Sequence, residues 1–390
     1  MRRVRLKEIG TFYSGLSGKS KSDFSEGNAL LVTYRNIFNN PVLNPAIKDT
    51  VVVGKDEKQN EVLWGDILIT GSSETPADAG MSSVVLFNPQ EKMYLNSFCF
   101  GFRLNDMNEA LPSYIGHLLR STSIRAAISK TAFGVTRFNV NRMRFADIEI
   151  PLPPLNIQKE IVSILDSFTS LIDKMKQEVE MRKKQMEYYR EKLMAPQKNW
   201  KIKTLGEIGT FTRGNGLQKS DFRVNGFPCV HYGQIHTYYN TCIYKTKSFC
   251  EEDLAKKLQK ASYGDLLIAT TSEDVKACCK AAVWFGAGDV AYSGDSFCYS
   301  HDQDPKYMAY LFQTEMFAKQ KQKAATGAKV IRVSGESMAS FSFAFPPLVQ
   351  QRQIASILDT FETYISKLEK MIELRQKQYE YYREKLLTFE

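Results

Sequence analysis

Apolar side chains recur in alternating steps of four and three along two long stretches of the chain. The first row runs through Ile161, Leu165, Phe168, Ile172, Met175, Val179, Arg182, Met186, Tyr189 and Leu193. The second runs through Ile354, Leu358, Phe361, Ile365, Leu368, Ile372, Arg375, Tyr379, Tyr382 and Leu386. One charge, Arg182 or Arg375, interrupts each. A seam sustained over several heptads predicts helices that coil on a partner. Pro153-Pro154 and Pro346-Pro347 stand before the two rows. They suit a helix start, where a missing N–H costs little. At 1.5 Å per residue each helix spans roughly 60 Å, longer than an ordinary domain helix.

The two stretches align without a gap, at one offset of 193 from Pro153 to Pro346 and from Leu193 to Leu386. The likeness extends upstream. Leu6-Lys7-Glu8-Ile9-Gly10-Thr11-Phe12 returns as Leu205-Gly206-Glu207-Ile208-Gly209-Thr210-Phe211, offset by 199. Gly65-Asp66-Ile67-Leu68-Ile69 and Ser97-Phe98-Cys99-Phe100 return at the same offset. From Pro112-Ser113-Tyr114 against Pro305-Lys306-Tyr307 the offset is 193, so the second half is six residues shorter around 300–305. The whole chain is a tandem duplication, and that dictates the architecture before any local reading.

The predicted fold class is α+β: a globular α/β part plus a long helix, twice, with the two helices forming an intramolecular antiparallel coiled coil. The boundaries fall at 1–152, 153–195, 196–345 and 346–390. Strands are expected at Thr50–Val53, Ile67–Thr70 and Ser83–Phe87, which are β-branched or apolar runs between turn residues. A helix is expected from Pro112 to Lys130, with its counterpart from Pro305 to Lys323. Ala195–Trp200, polar with a proline, links the repeats. Between the matching frames, Gly27–Val62 and Gly226–Ser262 scarcely align. Two copies of one scaffold reading different ligands would differ in this way.

Composition sharpens the choice of partner. The chain has 390 residues, 52 Lys and Arg against 43 acids, a net charge of +9 and a pI near 9. Such a surplus favours a polyanion. Seven cysteines without a CxxC spacing read as reduced thiols in a cytoplasmic protein. No apolar run approaches the ~20 residues of a membrane span.

The double unit, the PLPPL-type proline run, and helices opening on Q…I..ILD and closing on YYREKL resemble the specificity subunit of type I restriction–modification systems. The family often has Glu-Gln after the prolines; here Ile157-Gln158 and Gln350-Gln351 stand there, so the Gln alone is kept. The resemblance implies that each globular part is a target recognition domain reading one half of a bipartite, asymmetric DNA site. It implies that the helices set the spacing between the halves and dock partners. Those partners would be methyltransferase subunits, carrying S-adenosylmethionine, and restriction (motor–nuclease) subunits. The chain itself would hold no cofactor or metal.

DNA contacts are then expected from polar and basic loops, with Arg and Lys on phosphates and Arg, Asn or Gln on bases. In the first half the candidates are Arg35, Asn36, Ser72, Ser73, Thr136, Arg137, Asn139, Asn141 and Arg142. In the second they are His231, Tyr232, Gln234, Thr270, Thr271, Lys329 and Arg332. Gly134 and Gly327 align, so one glycine-centred basic loop recurs. With the helices laid antiparallel end to end, Ile161 faces Leu386. Arg182 then faces Ile365 and Arg375 faces Ile172, either fixing register or reaching outward.

Catalytic signatures are missing from the sequence. There is no NPPY-like tetrapeptide to hold a flipped adenine. Gly15–Ser20 falls short of a P-loop because Tyr13 occupies the position of the first glycine. His231, His236, Cys242 and Cys250 lack the tight pairing of a zinc site. Two other readings remain at this stage. One is a nuclease or methyltransferase with unrecognised motifs. The other is a homodimeric coiled-coil protein binding nucleic acid, including single-stranded RNA on aromatic platforms.

Overall fold

A computed structural model describes residues 2–389. The chain forms two compact units, one made of residues up to Lys176 together with Lys370 onward, the other of Gln177–Glu369. The long helices run Leu155–Leu193 and Leu348–Leu387. Each unit therefore holds one globular part and a stretch of both helices. No described helix is long and apolar enough to cross a membrane.

In the first unit four antiparallel strands lie in the order Gly10–Ser14, Cys99–Leu104, Ile67–Thr70, Ser82–Val84. Ile67–Thr70 is buried along its whole length. Because side chains alternate across a strand, Ile67 and Ile69 enter one core with Phe100, Tyr114 and Phe145, while Leu68 enters another with Val32, Ile37 and Val85. The second unit repeats this. Leu266 and Ile268 pack with Tyr299 and Tyr307, and Leu267 packs with Trp284 and Tyr292. The strands expected at Thr50 and Ser83 are shorter than their apolar runs, ending at Val51 and Val84.

The helix expected over 112–130 is two helices, Pro112–Leu119 and Thr122–Ser129. Ser121 is extended and interrupts the run. The second unit breaks likewise between Pro305–Leu311 and Glu315–Ala324, at the N-cap Thr314. The first amide of each second helix meets a distant carboxylate. Thr122 N–H donates to both Glu384 oxygens at 2.9 Å. Glu315 N–H donates to Glu191 at 3.1 and 3.2 Å. A helix N-terminus has amides without internal partners, and a carboxylate there also favours the dipole.

All seam residues are buried or half-buried. In the second unit Tyr189 stacks on Phe361 with centroids 5.5 Å apart, and Lys183 pairs with Glu369, so the helices run antiparallel. In the first unit the repeat-equivalent rings, Phe168 and Tyr382, stack at the same 5.5 Å. This corrects the end-to-end register: Phe168 meets Tyr382 rather than Tyr379, three residues along. Tyr379 turns instead to the globular part, its hydroxyl 3.2 Å from His117 Nδ1. The two arginines bond along their own helices. Arg182 bonds Glu178 and Gln185 of its own helix and covers the Tyr364 ring, and Arg375 bonds Gln378. A guanidinium held along its own helix avoids the cost of entering the seam unpaired.

The glutamine kept at each helix start is a buried clamp. Gln158 accepts from Leu111 N–H at 2.9 Å and donates to the carbonyls of Glu109 and Pro153, both at 2.8 Å. Gln351 accepts from Asp304 N–H and donates to Gln303 Oε1 and the Pro346 carbonyl.

Candidate nucleic-acid interface

The recurring glycine loop is the tip of a hairpin. In the first unit Ala132–Phe133 pairs with Phe138–Val140, and the latter pairs with Ser72–Ser73. Gly134 has φ +139°, and a Cβ there would lie 2.0 Å from the Arg137 carbonyl oxygen. Only glycine closes this turn without strain. In the second unit Gly327, at φ +102°, would place a Cβ 2.1 Å from the Val330 carbonyl oxygen. There Thr271–Ser272 pairs with Ile331–Arg332. The fold thus brings together, in both units, two candidate segments far apart in sequence.

Beside the first hairpin lies a cleft of about 610 Å³, lined by Tyr34, Phe38, Ser72, Ser73, Phe98, Thr136 and Arg137, with Glu74 and Asp78 at its acidic side. Arg137 donates through Nε to Ser72 Oγ at 3.0 Å and lies over the Phe98 ring at 5.1 Å. Phe98 is 58% exposed, an aromatic face that the repeat match of Ser97–Phe100 does not mark as a site. Two half-buried arginines brace the backbone nearby. Arg125 donates to the carbonyls of Ala77, Ala79 and Gly80, and Arg120 to that of Ser82. Burial lowers both guanidinium pKa values, that of Arg120 to about 10. The cleft can offer donors, acceptors and a ring face to a base edge or a sugar.

Other candidates of this unit divide. Arg35, Asn139 and Arg142 are exposed. The Asn36 amide is spent locally, donating to the Asn44 carbonyl and accepting from Asn44 N–H and Asn40, so it closes a turn. Asn141 caps the helix Arg142–Ala146 by accepting from Arg144 N–H. Both serve as supports.

In the second unit Lys329 and Arg332 are exposed on the hairpin, while Thr270 and Thr271 are buried. Thr271 Oγ1 donates to Asp295 Oδ1 at 3.2 Å. His231 and Gln234 form a capping box at the helix Tyr232–Thr237, and Gln234 also donates to Ser248 Oγ at 2.7 Å. Burial lowers the His231 pKa. These four therefore act first as supports: a polar side chain in a loop competes for nearby backbone groups. His231 and Tyr232 still border a cleft of about 430 Å³ with Arg213, Gln218 and Asp295. Arg213 and Gln218 carry no signal in the sequence, because their repeat partners, Ser14 and Ser20, are not of the same type.

The remaining candidates for chemistry have structural partners. Lys19, in the glycine-rich turn, pairs with Glu57. His236 Nε2 lies 2.9 Å from the Thr271 carbonyl oxygen. Cys250 is buried and all seven thiols are free.

Comparison with known proteins gives one consistent picture. The chain matches the family described as "Type I restriction modification DNA specificity domain" twice, over residues 1–181 and 197–376. A Haemophilus influenzae protein named as a type I restriction enzyme specificity subunit is 30% identical over 272 residues, covering 66% of this chain and 68% of its own. The specificity subunit of the Escherichia coli type I enzyme EcoR124I/EcoR124II is 29% identical over 259 residues, 62% of this chain and 63% of its own. Among solved structures, an S subunit of a type I restriction–modification system from M. genitalium overlays with a TM-score of 0.56 at 14% identity, covering 100% of this chain and 96% of its own. A chain from a structure concerned with complex assembly and conformational transition of the type I R-M system overlays at 0.60, also at 14% identity, covering 99% and 97%. At that identity the overlays show the fold.

Proposed function

The chain belongs to the family of type I restriction–modification specificity subunits, and from that premise we propose how its parts divide the work. Such subunits direct catalysis and do not perform it. Each globular part reads one half of a bipartite DNA site. Exposed Arg and Lys neutralise phosphates, and the cleft of each unit presents the base-reading groups. The observation that carries this is the recurrence in both units of one glycine hairpin with an exposed basic residue, Arg137 or Lys329, while the clefts of the two units differ in lining. A shared frame with different linings suits a target whose halves differ in sequence.

The long helices set the interval between half-sites and carry the partners. A second apolar row supports docking. In the first unit Ile164, Leu171, Leu374 and Tyr381 are exposed, and in the second their repeat equivalents Ile357, Tyr364, Met181 and Tyr188 are exposed too. Ile164 and Leu171, like Leu374 and Tyr381, lie seven apart on one helix face. Exposed apolar rows of this kind mark contact surfaces. Equal rows in the two units suit two copies of one partner, the methyltransferase subunit, with its S-adenosylmethionine. That partner must take an adenine out of the duplex to modify it. Restriction subunits join the same assembly, and its place of action is the cytoplasm.

The test is to map methylated adenines in cells carrying the system, before and after inserting one heptad into both helices. Seven residues add about 10 Å, or roughly three base pairs at 3.4 Å each. The expected result is a gap wider by about three base pairs between unchanged half-sites. A changed half-site with an unchanged gap would refute the spacer role. Methyl transfer by the isolated chain would refute the non-catalytic one.

A further inference from the structure

The two repeats each place an arginine at one corner of the sheet, one from a short helix and the other from a strand. In the first unit Arg142 opens a short helix and donates to Ser14 Oγ at 2.7 Å, at the end of the strand Gly10–Ser14. In the second unit the repeat equivalent of Ser14 is Arg213, ending the strand Gly209–Arg213. The equivalent of Arg142 is Gly335, opening the short helix Gly335–Ala339. Gly335 and Arg213 line one cleft of about 630 Å³ with Phe297. So the guanidinium occupies the same corner, supplied by the helix in one unit and by the strand in the other.

The exchange has a steric reason. A Cβ at Gly335 would lie 2.6 Å from a ring carbon of Phe297, so a side chain there requires that ring to move. With the helix position closed, the strand supplies the charge. Packing does not explain its retention. Arg142 lies over the Phe100 ring at 5.1 Å, whereas Arg213 donates through Nε to the Gly294 carbonyl at 3.1 Å. The incidental contacts differ, and only the position of the charge is common. Nor is the charge spent on a carboxylate. Arg103, Arg182 and Arg223 are paired with Asp66, Glu178 and Glu251, but among the described residues Arg142 and Arg213 have no such partner.

We propose that Arg142 and Arg213 are equivalent DNA phosphate clamps, one for each half-site. This rests on the reading of the globular parts as DNA recognition domains. The two parts differ in their reading surfaces, so a feature kept by both must address something common to both half-sites. The sugar–phosphate backbone is common, and base edges are not. A guanidinium tethered through one nitrogen, Nη1 in Arg142 and Nε in Arg213, has donors left over and suits a phosphate oxygen.

The test uses the full chain assembled with its methyltransferase partner, and two fluorescent duplexes, one carrying the mapped methylation site and one of scrambled sequence. Each phosphate contact contributes about 0.9 to the slope of log affinity against log salt. Arg142→Ala and Arg213→Ala should each remove that amount on both duplexes. Equivalently, each makes the affinity loss between about 50 and about 200 mM salt roughly 3.5-fold smaller. The methylated sequence should not change. Arg142→Lys, which keeps the charge, should retain the slope. The double change Ser14→Arg with Arg142→Gly, which builds the second unit's arrangement into the first, should restore it. An unchanged slope in the alanine variants overturns the proposal. So does relaxation of the methylated motif at one base, which would make the arginine a base reader. If the parent assembly itself shows no salt-dependent duplex binding, the DNA reading fails and this proposal with it.

Discussion

Replacing Gln158 by alanine tests whether the start of the first long helix is held by a hydrogen-bonded clamp or by its apolar seam alone. The side chain is fully buried and joins three backbone groups, the Leu111 amide and the carbonyls of Glu109 and Pro153. Alanine leaves those groups without that partner, and each buried unsatisfied group costs about 1–3 kcal/mol. Water entering the vacated space relieves part of this, so we expect a loss of about 3 kcal/mol. For a folding unit of nearly 200 residues, 1 kcal/mol corresponds to roughly 2–4 °C, so the melting temperature of that unit should fall by roughly 6–12 °C. Urea unfolding followed by circular dichroism measures the change, with Gln351→Ala as comparison. Gln351 binds one amide, one carbonyl and the side chain of Gln303. Because Gln303 is only half-buried, the cost there should be smaller. A loss below about 1 kcal/mol at Gln158 would refute the clamp.

Three further outcomes follow from single contacts. Arg103 binds the fully buried Asp66 carboxylate through two nitrogens, at 2.8 and 2.7 Å. Arg103 is 40% exposed and Asp66 keeps the Tyr13 hydroxyl and the Leu63 amide as donors, so Arg103→Met should cost about 1–3 kcal/mol in urea unfolding, and a neutral result would remove the pair from the stability of this unit. Gly134→Ala should strain the first hairpin by about 1–3 kcal/mol and weaken binding at one half-site only. Equal binding at both half-sites, measured by anisotropy, would remove the hairpin from the interface. Lys19, Gln59 and the Gly54 amide hold the Glu57 carboxyl down to about 2 from an ordinary 4.5. Since the folded value is depressed, the stabilisation is present above pH 4.5 and lost as pH falls toward 2. Carboxyl NMR should show Glu57 titrating near 2 in the parent and nearer 4.5 in Lys19→Met.

The large-scale architecture was legible because it is written twice. An unbroken heptad row and a constant offset survive any local detail, so the helices and the duplication could be read directly. The register of the coil could not. Aligning the ends assumed equal overhangs, whereas the stacking of Phe168 on Tyr382 and Tyr189 on Phe361 sets the slide. The break at Ser121 was hidden because Ile124 and Ile128 continue the helical spacing across it, and its stabilising carboxylate lies 262 residues away. At the interface, glycine at the hairpin tips was readable from the repeat. Its pairing with Ser72–Ser73 depends on tertiary contact and was not. Asn36, His231 and Gln234 looked like readers because their side chains are polar, yet those polar atoms serve nearby backbone groups. Arg213 is not legible from the repeat, because its counterpart there is a serine.

The carboxylates of Glu384 and Glu191 fasten each globular part through a main-chain amide. The residue bearing that amide is threonine in one case and glutamate in the other. A fastening made to the peptide bond is blind to the side chain it holds. A substitution at position 122 or 315 can therefore leave this contact in place, whereas the side-chain contacts beside it, His117 with Tyr379 and Tyr310 with Glu362, hold only particular residues.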